Sequence, residues 1–221
     1  MSGVVEIETK GILFDMDGVL ISSIGSVRRC WRRWAHIYGI EGADTFEIPH
    51  GTRAIDLVKA LRPDIDPEEG LRVIEDMEVE DTEDLRVLPG ARELLASLPA
   101  ERWVIVTSAT RRLLLGRLEV AGLPIPERFI SGDMVERGKP DPEPYRRGAE
   151  LLGLRPEECI VIEDAPAGVG AGKAAGCRVL AVLGTHEAGL LEQADWTTRT
   201  LAEVEVEQRD GSLVLRVPLL P

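Results

Sequence analysis

Five short apolar runs, separated by stretches of helical periodicity, constrain the fold of this chain more than any other feature. The runs are bounded by glycine or polar residues and lie at 11–14, 103–106, 128–130, 159–162 and 178–183. Short continuous apolar runs are typical of strands that are buried on both faces, as in a parallel sheet. Helices are predicted between them at 91–98, 111–121, 142–152 and 167–175. This alternation predicts an α/β fold with a doubly wound parallel sheet and right-handed crossovers.

The interval between residues 20 and 88 departs from that alternation, because it has helical periodicity but no strand-like run. One apolar stripe at helical spacing is formed by Val27, Trp31, Trp34 and Tyr38. Further helices are predicted at 53–61 and 67–77, where prolines mark the breaks. The interval therefore reads as a helical insert.

These patterns divide the 221 residues into two units. We predict an α/β core formed by residues 1–19 and 88–221, and an α-helical cap domain formed by residues 20–87. The hinges are predicted near 18–23 and 85–90. Both units fall within ordinary domain sizes.

The C-terminal segment has a different pattern, with apolar and polar residues alternating at 203–207 and 213–217 around Asp210 and Gly211. Alternation on both sides of an Asp-Gly pair predicts a β-hairpin. We expect this hairpin at the edge of the parallel sheet, and we assign it no chemistry.

The charge balance excludes two classes of partner. The chain has 39 Asp and Glu against 26 Lys and Arg, a formal net charge of -13. Nucleic acids and anionic membrane surfaces both require a dominant cationic field, so we expect neither as a partner. A small anionic substrate requires a metal ion or a few placed cations to reverse the charge locally.

The compartment is predicted from cysteine usage and from the absence of targeting patterns. The three cysteines are an odd number without a CxxC pair, which is typical of reduced thiols in a cytosolic protein. No apolar stretch approaches the roughly 20 residues that span a bilayer, and the first residues lack the layout of a signal peptide. We therefore expect a cytoplasmic protein.

Chemically active residues follow four of the five apolar runs. They are, in chain order, Asp15 and Asp17, then Thr107 and Ser108, then Lys139, then Glu163 and Asp164. Ligands of open α/β sheets bind at the carboxyl ends of the strands, so we expect these side chains to converge. Converging carboxylates repel one another unless a cation lies among them. Mg²⁺ prefers oxygen ligands and retains open positions for substrate, and Lys139 adds a fixed positive charge.

This order of motifs resembles that of the haloacid dehalogenase superfamily: DxD, then Thr or Ser, then an isolated Lys, then an acidic pair. The resemblance covers nearly the whole chain and implies a Rossmann-like core, with the helical cap inserted after the first motif. Three segments are similar to the small sugar- and polyol-phosphate phosphatases: WVIVTSATR, GKPDPEPY and EDAPAGVGAGKAAGC. The stretch His50-Gly51-Thr52-Arg53 resembles their HGxR element.

The resemblance implies a Mg²⁺-dependent phosphatase that hydrolyses a small phosphorylated metabolite through an aspartyl-phosphate. Asp15 is then the nucleophile and Asp17 the general acid and base. The implied metal ligands are Asp15, Glu163, Asp164 and the backbone carbonyl of Asp17. Thr107, Ser108 and Lys139 would hold the phosphoryl group.

Cap residues are the implied substrate contacts. The candidates are Arg53 and His50. Arg53 could instead be a surface arginine at the start of a helix, and His50 could instead have a capping or packing role. We expect a monomer, because the cap must open and close over the cleft.

Two other functions stay open at this point. A β-phosphoglucomutase-like mutase shares the motifs, although Val27 occupies the position at which that subfamily has a histidine near the cap hinge. A non-catalytic regulator that responds to phosphate or magnesium is the second alternative, but such proteins would be expected to lose one of the first two aspartates. The intact Asp17 also disfavours a dehalogenase, and no clear cap lysine indicates a phosphonatase.

Overall fold

A computed structural model describes residues 3–218 and 220. The strands are β1 Val4–Thr9, β2 Gly11–Phe14, β3 Ile21–Ser22, β4 Arg86–Val87, β5 Trp103–Val106, β6 Phe129–Ile130, β7 Cys159–Glu163, β8 Arg178–Val182, β9 Trp196–Thr198, β10 Glu205–Arg209 and β11 Ser212–Pro218. The α-helices are α1 Ile24–Ile37, α2 Ala54–Leu61, α3 Pro67–Glu80, α4 Ala91–Ser97, α5 Arg111–Ala121, α6 Glu143–Leu151 and α7 Pro166–Ala175.

The main sheet is parallel and has six strands in the order β6-β5-β2-β7-β8-β9. All residues of β2, β5 and β7 are buried, as expected for strands covered on both faces. All five predicted runs form strands of this sheet, and β9 is a sixth strand that was not predicted. The structure confirms the predicted α/β fold.

The two faces of this sheet carry separate apolar clusters. Ile12 and Phe14 of β2 face the cluster that includes residues of α4 and α5, and Leu13 faces the cluster that includes residues of α6 and α7. Side chains alternate between the faces of a strand, so one short strand contributes to both layers. Helices on both faces give the doubly wound arrangement.

The predicted hairpin exists, but its predicted position at the edge of the parallel sheet is wrong. β10 and β11 form an antiparallel pair, and β11 also pairs with β1 in a second sheet of order β1-β11-β10. Ile7 of β1 lies opposite Leu215 of β11, and both join the apolar cluster that includes α4. The hairpin pairs with β1 because β1 offers a free antiparallel edge and apolar residues on its inner face.

Helices α1, α2 and α3 enclose an apolar cluster of their own. Its buried members are Cys30, Trp31, Trp34, Val58 and Ile74. The Trp34 indole also donates a hydrogen bond to the Gly70 carbonyl at 3.0 Å. This cluster supports the predicted division into a core and a cap domain, which stays a prediction.

A two-stranded ribbon joins the helical insert to the rest of the chain. β3 and β4 pair antiparallel, with Ile21 opposite Val87. The expectation of no strand between residues 20 and 88 is therefore wrong at both ends of the interval. The strands have only two residues each, which is too short for a periodic pattern to reveal.

The cysteines Cys30, Cys159 and Cys177 are free thiols and buried, as expected. Among the described residues, no helix is both long enough and apolar enough to cross a membrane.

Candidate active site

The strand register brings three of the predicted motifs to one edge of the sheet. Phe14, the last residue of β2, lies opposite Ile105 in β5 and Ile162 in β7. The three strands therefore end at nearly the same level. Asp15, Thr107 and Glu163 lie at or beside these ends, and all three are buried.

Lys139 is buried at this edge and connects the first and last motifs. Its Nζ donates hydrogen bonds to Asp15 Oδ1 at 2.6 Å, to Glu163 Oε1 at 2.7 Å and to the Val106 carbonyl at 3.1 Å. Burial alone would lower the pKa of Lys139, but the two carboxylates outweigh it and raise that pKa above its usual value. Lys139 is therefore a fixed cation against Asp15.

Glu163 is held by hydrogen bonds to both of its carboxylate oxygens. Oε1 accepts from Lys139 and from the Tyr145 hydroxyl at 2.9 Å, and Oε2 accepts from the backbone N–H groups of Asp164 and Ala165 at 2.8 and 3.0 Å. Gly168 lies close to this carboxylate, since a Cβ there would be only 1.6 Å from Glu163 Oε1. The packing of α7 therefore fixes Glu163.

Asp15, Glu163 and Asp164 form a buried acidic cluster, with one carboxylate oxygen from each within 4.8 Å of the others. Burial raises the pKa of Asp15 to about 7, and Glu163 adds to this while Lys139 opposes it. Burial, Glu163 and Asp15 likewise raise the pKa of Asp164. One lysine does not compensate three buried carboxylates, so the donor set fits a hard divalent cation such as Mg²⁺.

Asp17 lies at the mouth of this edge and is half-buried. Its Oδ1 accepts a hydrogen bond from Ser23 Oγ at 2.7 Å, and its Oδ2 pairs with Arg117 Nη1 at 2.8 Å. The chain turns at Gly18, where φ is +88° and a Cβ would lie 1.9 Å from Asp164 Oδ2. Glycine at this position lets the first motif approach the last one.

Thr107 and Ser108 face the same cleft from the end of β5. Thr107 Oγ1 accepts a hydrogen bond from the Ala109 N–H at 3.1 Å, which leaves its hydroxyl proton for another acceptor. Ser108 Oγ donates to the Gly51 carbonyl at 2.6 Å, so it connects this loop to the helical insert.

The two cap candidates lie in different surroundings. His50 lines the cleft, its ring 5.7 Å from that of His186, and burial followed by His186 lowers its pKa. Arg53 is buried away from the cleft lining; it pairs with Asp56 and donates to the carbonyls of residues 132, 135 and 136. The alternative of a surface arginine is therefore wrong. Substrate contact by Arg53 and His50 stays a prediction.

Two charged residues beside the site, Arg117 and Glu78, were not predicted from the sequence. Arg117 of α5 and Glu78 of α3 are buried and paired at 2.9 Å. Burial raises the pKa of Glu78 to about 7, against the effect of Arg117. A signal existed, because Arg117 follows Leu113 and Leu114 at helical spacing and Glu78 follows Ile74 by four residues. A charge within an apolar helix stripe indicates a buried ion pair.

Comparisons with known proteins agree with this geometry. The chain is 39% identical over 213 residues to hexitol phosphatase A of Escherichia coli, covering 94% of this chain and 99% of that protein. It is 33% identical over 201 residues to glycerol-1-phosphate phosphohydrolase 2 of Saccharomyces cerevisiae, covering 86% of this chain and 80% of that protein.

A solved structure and a family comparison agree as well. The structure of a hydrolase from Pseudomonas syringae matches with a TM-score of 0.75 and 25% identity, covering 87% of this chain and 94% of that one. Residues 9–176 match the family described as haloacid dehalogenase-like hydrolase. The chain therefore belongs to the haloacid dehalogenase-like hydrolases.

Proposed function

We propose that this protein is a Mg²⁺-dependent phosphatase that hydrolyses a small sugar or polyol phosphate through an aspartyl-phosphate. The observation that carries the proposal is the contact of the buried Lys139 with Asp15 at the acidic cluster, beside a cleft that Asp15, Asp17, Thr107 and Ser108 line. The names of the two relatives above support the substrate class.

The first step is the transfer of the phosphoryl group to Asp15. Lys139 binds Asp15 Oδ1, and no described residue donates a hydrogen bond to Oδ2. Oδ2 attacks phosphorus, and the bond from phosphorus to the substrate oxygen breaks. Asp17 in its protonated form gives its proton to the departing alkoxide.

The second step releases inorganic phosphate. Asp17, now a carboxylate, accepts a proton from a water molecule that attacks phosphorus, and the bond from phosphorus to Asp15 breaks. Thr107 and the backbone N–H of Ser108 bind phosphoryl oxygens in both steps. Asp15 is regenerated as a carboxylate beside Lys139.

The residues that would hold Mg²⁺ directly are Asp15, Asp164 and the backbone carbonyl of Asp17, with the negative charge of Glu163, whose two oxygens already accept four hydrogen bonds, beside them. When bound, the ion neutralises charge on the phosphoryl group and on the buried carboxylates. The raised pKa values of Asp15 and Asp164 support this ligand set, because a nearby cation favours their ionised forms.

The charge of the cleft favours hydrolysis of a monophosphate over a mutase that handles two phosphoryl groups. Among the described residues that line the cleft, Arg117 is the only arginine or lysine, and it is already paired with Asp17 and Glu78. A second phosphate at the cap side would therefore face carboxylates without a free cation. Trp31 and Val27 in the same lining suit an uncharged carbon chain.

The test is turnover of 4-nitrophenyl phosphate with Mg²⁺ and with EDTA, by wild type, Asp15→Asn and Asp44→Asn. Asp44 is an exposed carboxylate that does not line the cleft, so its variant is the matched control. We expect activity that needs Mg²⁺, is retained in Asp44→Asn and is lost in Asp15→Asn. Turnover that survives Asp15→Asn refutes the aspartyl-phosphate.

A substrate panel tests the substrate class. Hexitol phosphates, glycerol phosphates, hexose phosphates and nucleotides are ranked by kcat/KM, and we expect a sugar or polyol phosphate above every nucleotide. Conversion of a hexose 1-phosphate into the isomeric hexose 6-phosphate, in place of release of inorganic phosphate, would favour the mutase. The monomeric state and the cytoplasmic location stay predictions.

A further inference from the structure

Arg117 joins the acid/base residue to the helical insert through one guanidinium group. It extends from α5, and its side chain is only 5% exposed. Nη1 binds Asp17 Oδ2 at 2.8 Å, and Nη2 binds Glu78 Oε2 at 2.9 Å. Glu78 belongs to α3, so a single side chain connects the loop after β2 to the insert.

We propose that Arg117 is a positioning residue for Asp17, and that Glu78 fixes Arg117 so that Asp17 is aligned only when α3 packs against α5. The inference rests on the proposed phosphatase function. It concerns two residues to which that function assigns no role.

The contacts to Asp17 are suited to fixing the orientation of its carboxyl group. Ser23 binds Oδ1 and Arg117 binds Oδ2, so both carboxylate oxygens are fixed and the plane of the group is set. A half-buried aspartate in a turn would otherwise rotate among several rotamers. A general acid acts only when its proton lies within hydrogen-bond reach of the leaving oxygen.

The ion pairs are poorly suited to a purely stabilising role. Burying a guanidinium and a carboxylate has a desolvation penalty that an apolar pair would avoid. Arg117 Nε has no hydrogen-bond partner among the described residues, which adds to that penalty. Burial opposes ionisation of Arg117, but Asp17 and Glu78 outweigh it and keep its pKa raised. The guanidinium therefore stays charged.

The same two helices are joined by a second arginine that does not contact Asp17. Arg112 of α5 pairs with Glu75 and Asp76 of α3 at 3.0 and 2.5 Å, and its side chain is 50% exposed. If the role of Arg117 were only to hold α3 against α5, loss of Arg112 would have a similar effect on catalysis. Arg112 is therefore the internal control.

The leaving group distinguishes positioning from a structural role. An alkoxide is a poor leaving group and needs the proton of Asp17, whereas 4-nitrophenolate and acetate leave without one. The ratio kcat/KM reports the steps up to the first irreversible one, here the departure of the leaving group. Misplacement of Asp17 must therefore lower kcat/KM for an alkyl phosphate more than for 4-nitrophenyl phosphate or acetyl phosphate.

The experiment measures kcat/KM at saturating Mg²⁺ for the best polyol phosphate, 4-nitrophenyl phosphate and acetyl phosphate. The variants are Arg117→Met, Arg117→Lys, Glu78→Gln and Arg112→Met. We expect Arg117→Met to lower kcat/KM for the polyol phosphate about 10- to 100-fold, and kcat/KM for 4-nitrophenyl phosphate and acetyl phosphate less than about 3-fold. Arg117→Lys should lower kcat/KM for the polyol phosphate less than Arg117→Met does. Glu78→Gln should give a smaller loss that also falls mainly on the polyol phosphate. Arg112→Met should leave kcat/KM unchanged for all three substrates.

Several outcomes would overturn the inference. An equal loss of kcat/KM on all three substrates would mean that Arg117 has only a structural role. A selective loss on the alkyl phosphate in Arg112→Met would mean that any contact between α3 and α5 is enough to align Asp17. If Glu78→Gln lowers kcat/KM equally for all three substrates, or not at all, Glu78 does not couple the insert to Asp17. If Arg117→Met does not fold, Arg117→Lys and Glu78→Gln still decide, because both keep a polar partner in the buried site.

Failure of the proposed function gives a different result. In that case wild type turns over none of the three phosphates, or Asp15→Asn retains the wild-type rate. A wild type that is active and needs Asp15, combined with no leaving-group selectivity in the variants, refutes only the role of Arg117.

Discussion

The two sides of the cleft are held in place in different ways. On the sheet side, Asp15 and Glu163 lie at or beside strand ends, and Lys139 reaches them from the loop before α6; all three are buried in a shared ion-pair network. On the helical side, the insert contacts the core through individual side chains such as Arg53 and through the short ribbon of β3 and β4. Strand register therefore positions the residues of the proposed reaction, whereas a few polar contacts position the helical insert, which forms the other side of the cleft.

The largest effect is expected from Lys139→Met, which breaks the sheet side. It leaves Asp15 and Glu163 buried without their cation, at a cost of about 3–5 kcal/mol in the free energy of unfolding. Loss of the cation should also lower kcat/KM by about 100-fold or more. Urea unfolding in EDTA and kinetics in Mg²⁺ measure the two effects.

Lys173→Met is the matched control for this change. Lys173 also pairs with a carboxylate, Asp195, at 2.6 Å, but both side chains are partly exposed. Its loss should cost about 0–1 kcal/mol and leave kcat/KM unchanged. Equal costs for the two lysines would contradict the buried network.

Trp34→Ala is expected to have the next largest effect, on the helical side. Trp34 is fully buried in the cluster of α1, α2 and α3, and its removal should cost about 3–5 kcal/mol. Ile37→Ala in the same helix removes an exposed side chain and should cost less than about 0.5 kcal/mol. Urea unfolding followed by circular dichroism measures both. A small cost for Trp34 would show that the insert lacks a core of its own.

Gly168→Ala tests how closely α7 packs on the sheet side. The new Cβ would overlap Glu163 Oε1, so we expect a cost of about 1–3 kcal/mol and a lower kcat/KM. Gly170→Ala is the control in the same helix, because its Cβ would lie 3.9 Å from its nearest neighbour, Pro140. That variant should gain about 0.5–1 kcal/mol. If both substitutions are equally tolerated, Glu163 is not fixed as described.

The smallest effect is expected from Arg53→Met, which removes a contact between the two sides. Three carbonyls and Asp56 lose their donor, and we expect a loss of about 1–2 kcal/mol in thermal or urea unfolding. A rise in KM for the best substrate without any loss of stability would instead place Arg53 on the substrate. Arg62→Met, which removes a more exposed arginine paired with Asp64, is the control.

The sheet side was predictable from the sequence and the helical side only in outline. Asp15, Thr107 and Glu163 each lie at the end of an apolar run, and parallel strands bring such positions together; Lys139 follows the run at 128–130 after a longer loop. A local pattern indicates that Arg117 and Glu78 are buried, but the partners of these residues and of Arg53 depend on how the insert packs against the core. The partner of the C-terminal hairpin was missed for a similar reason, because β1 is distant in sequence.

The pairing of β1 with β11 has a consequence for synthesis of the chain. Val4 lies opposite Pro218, so β1 finds its partner only after all the residues between these two strands have been made. At roughly 5–20 residues per second, β1 stays unpaired for many seconds while the parallel sheet is assembled. Ile7 of β1 and Leu215 of β11 belong to the same apolar cluster, so shortening β11 would expose both an unpaired edge and apolar side chains to aggregation.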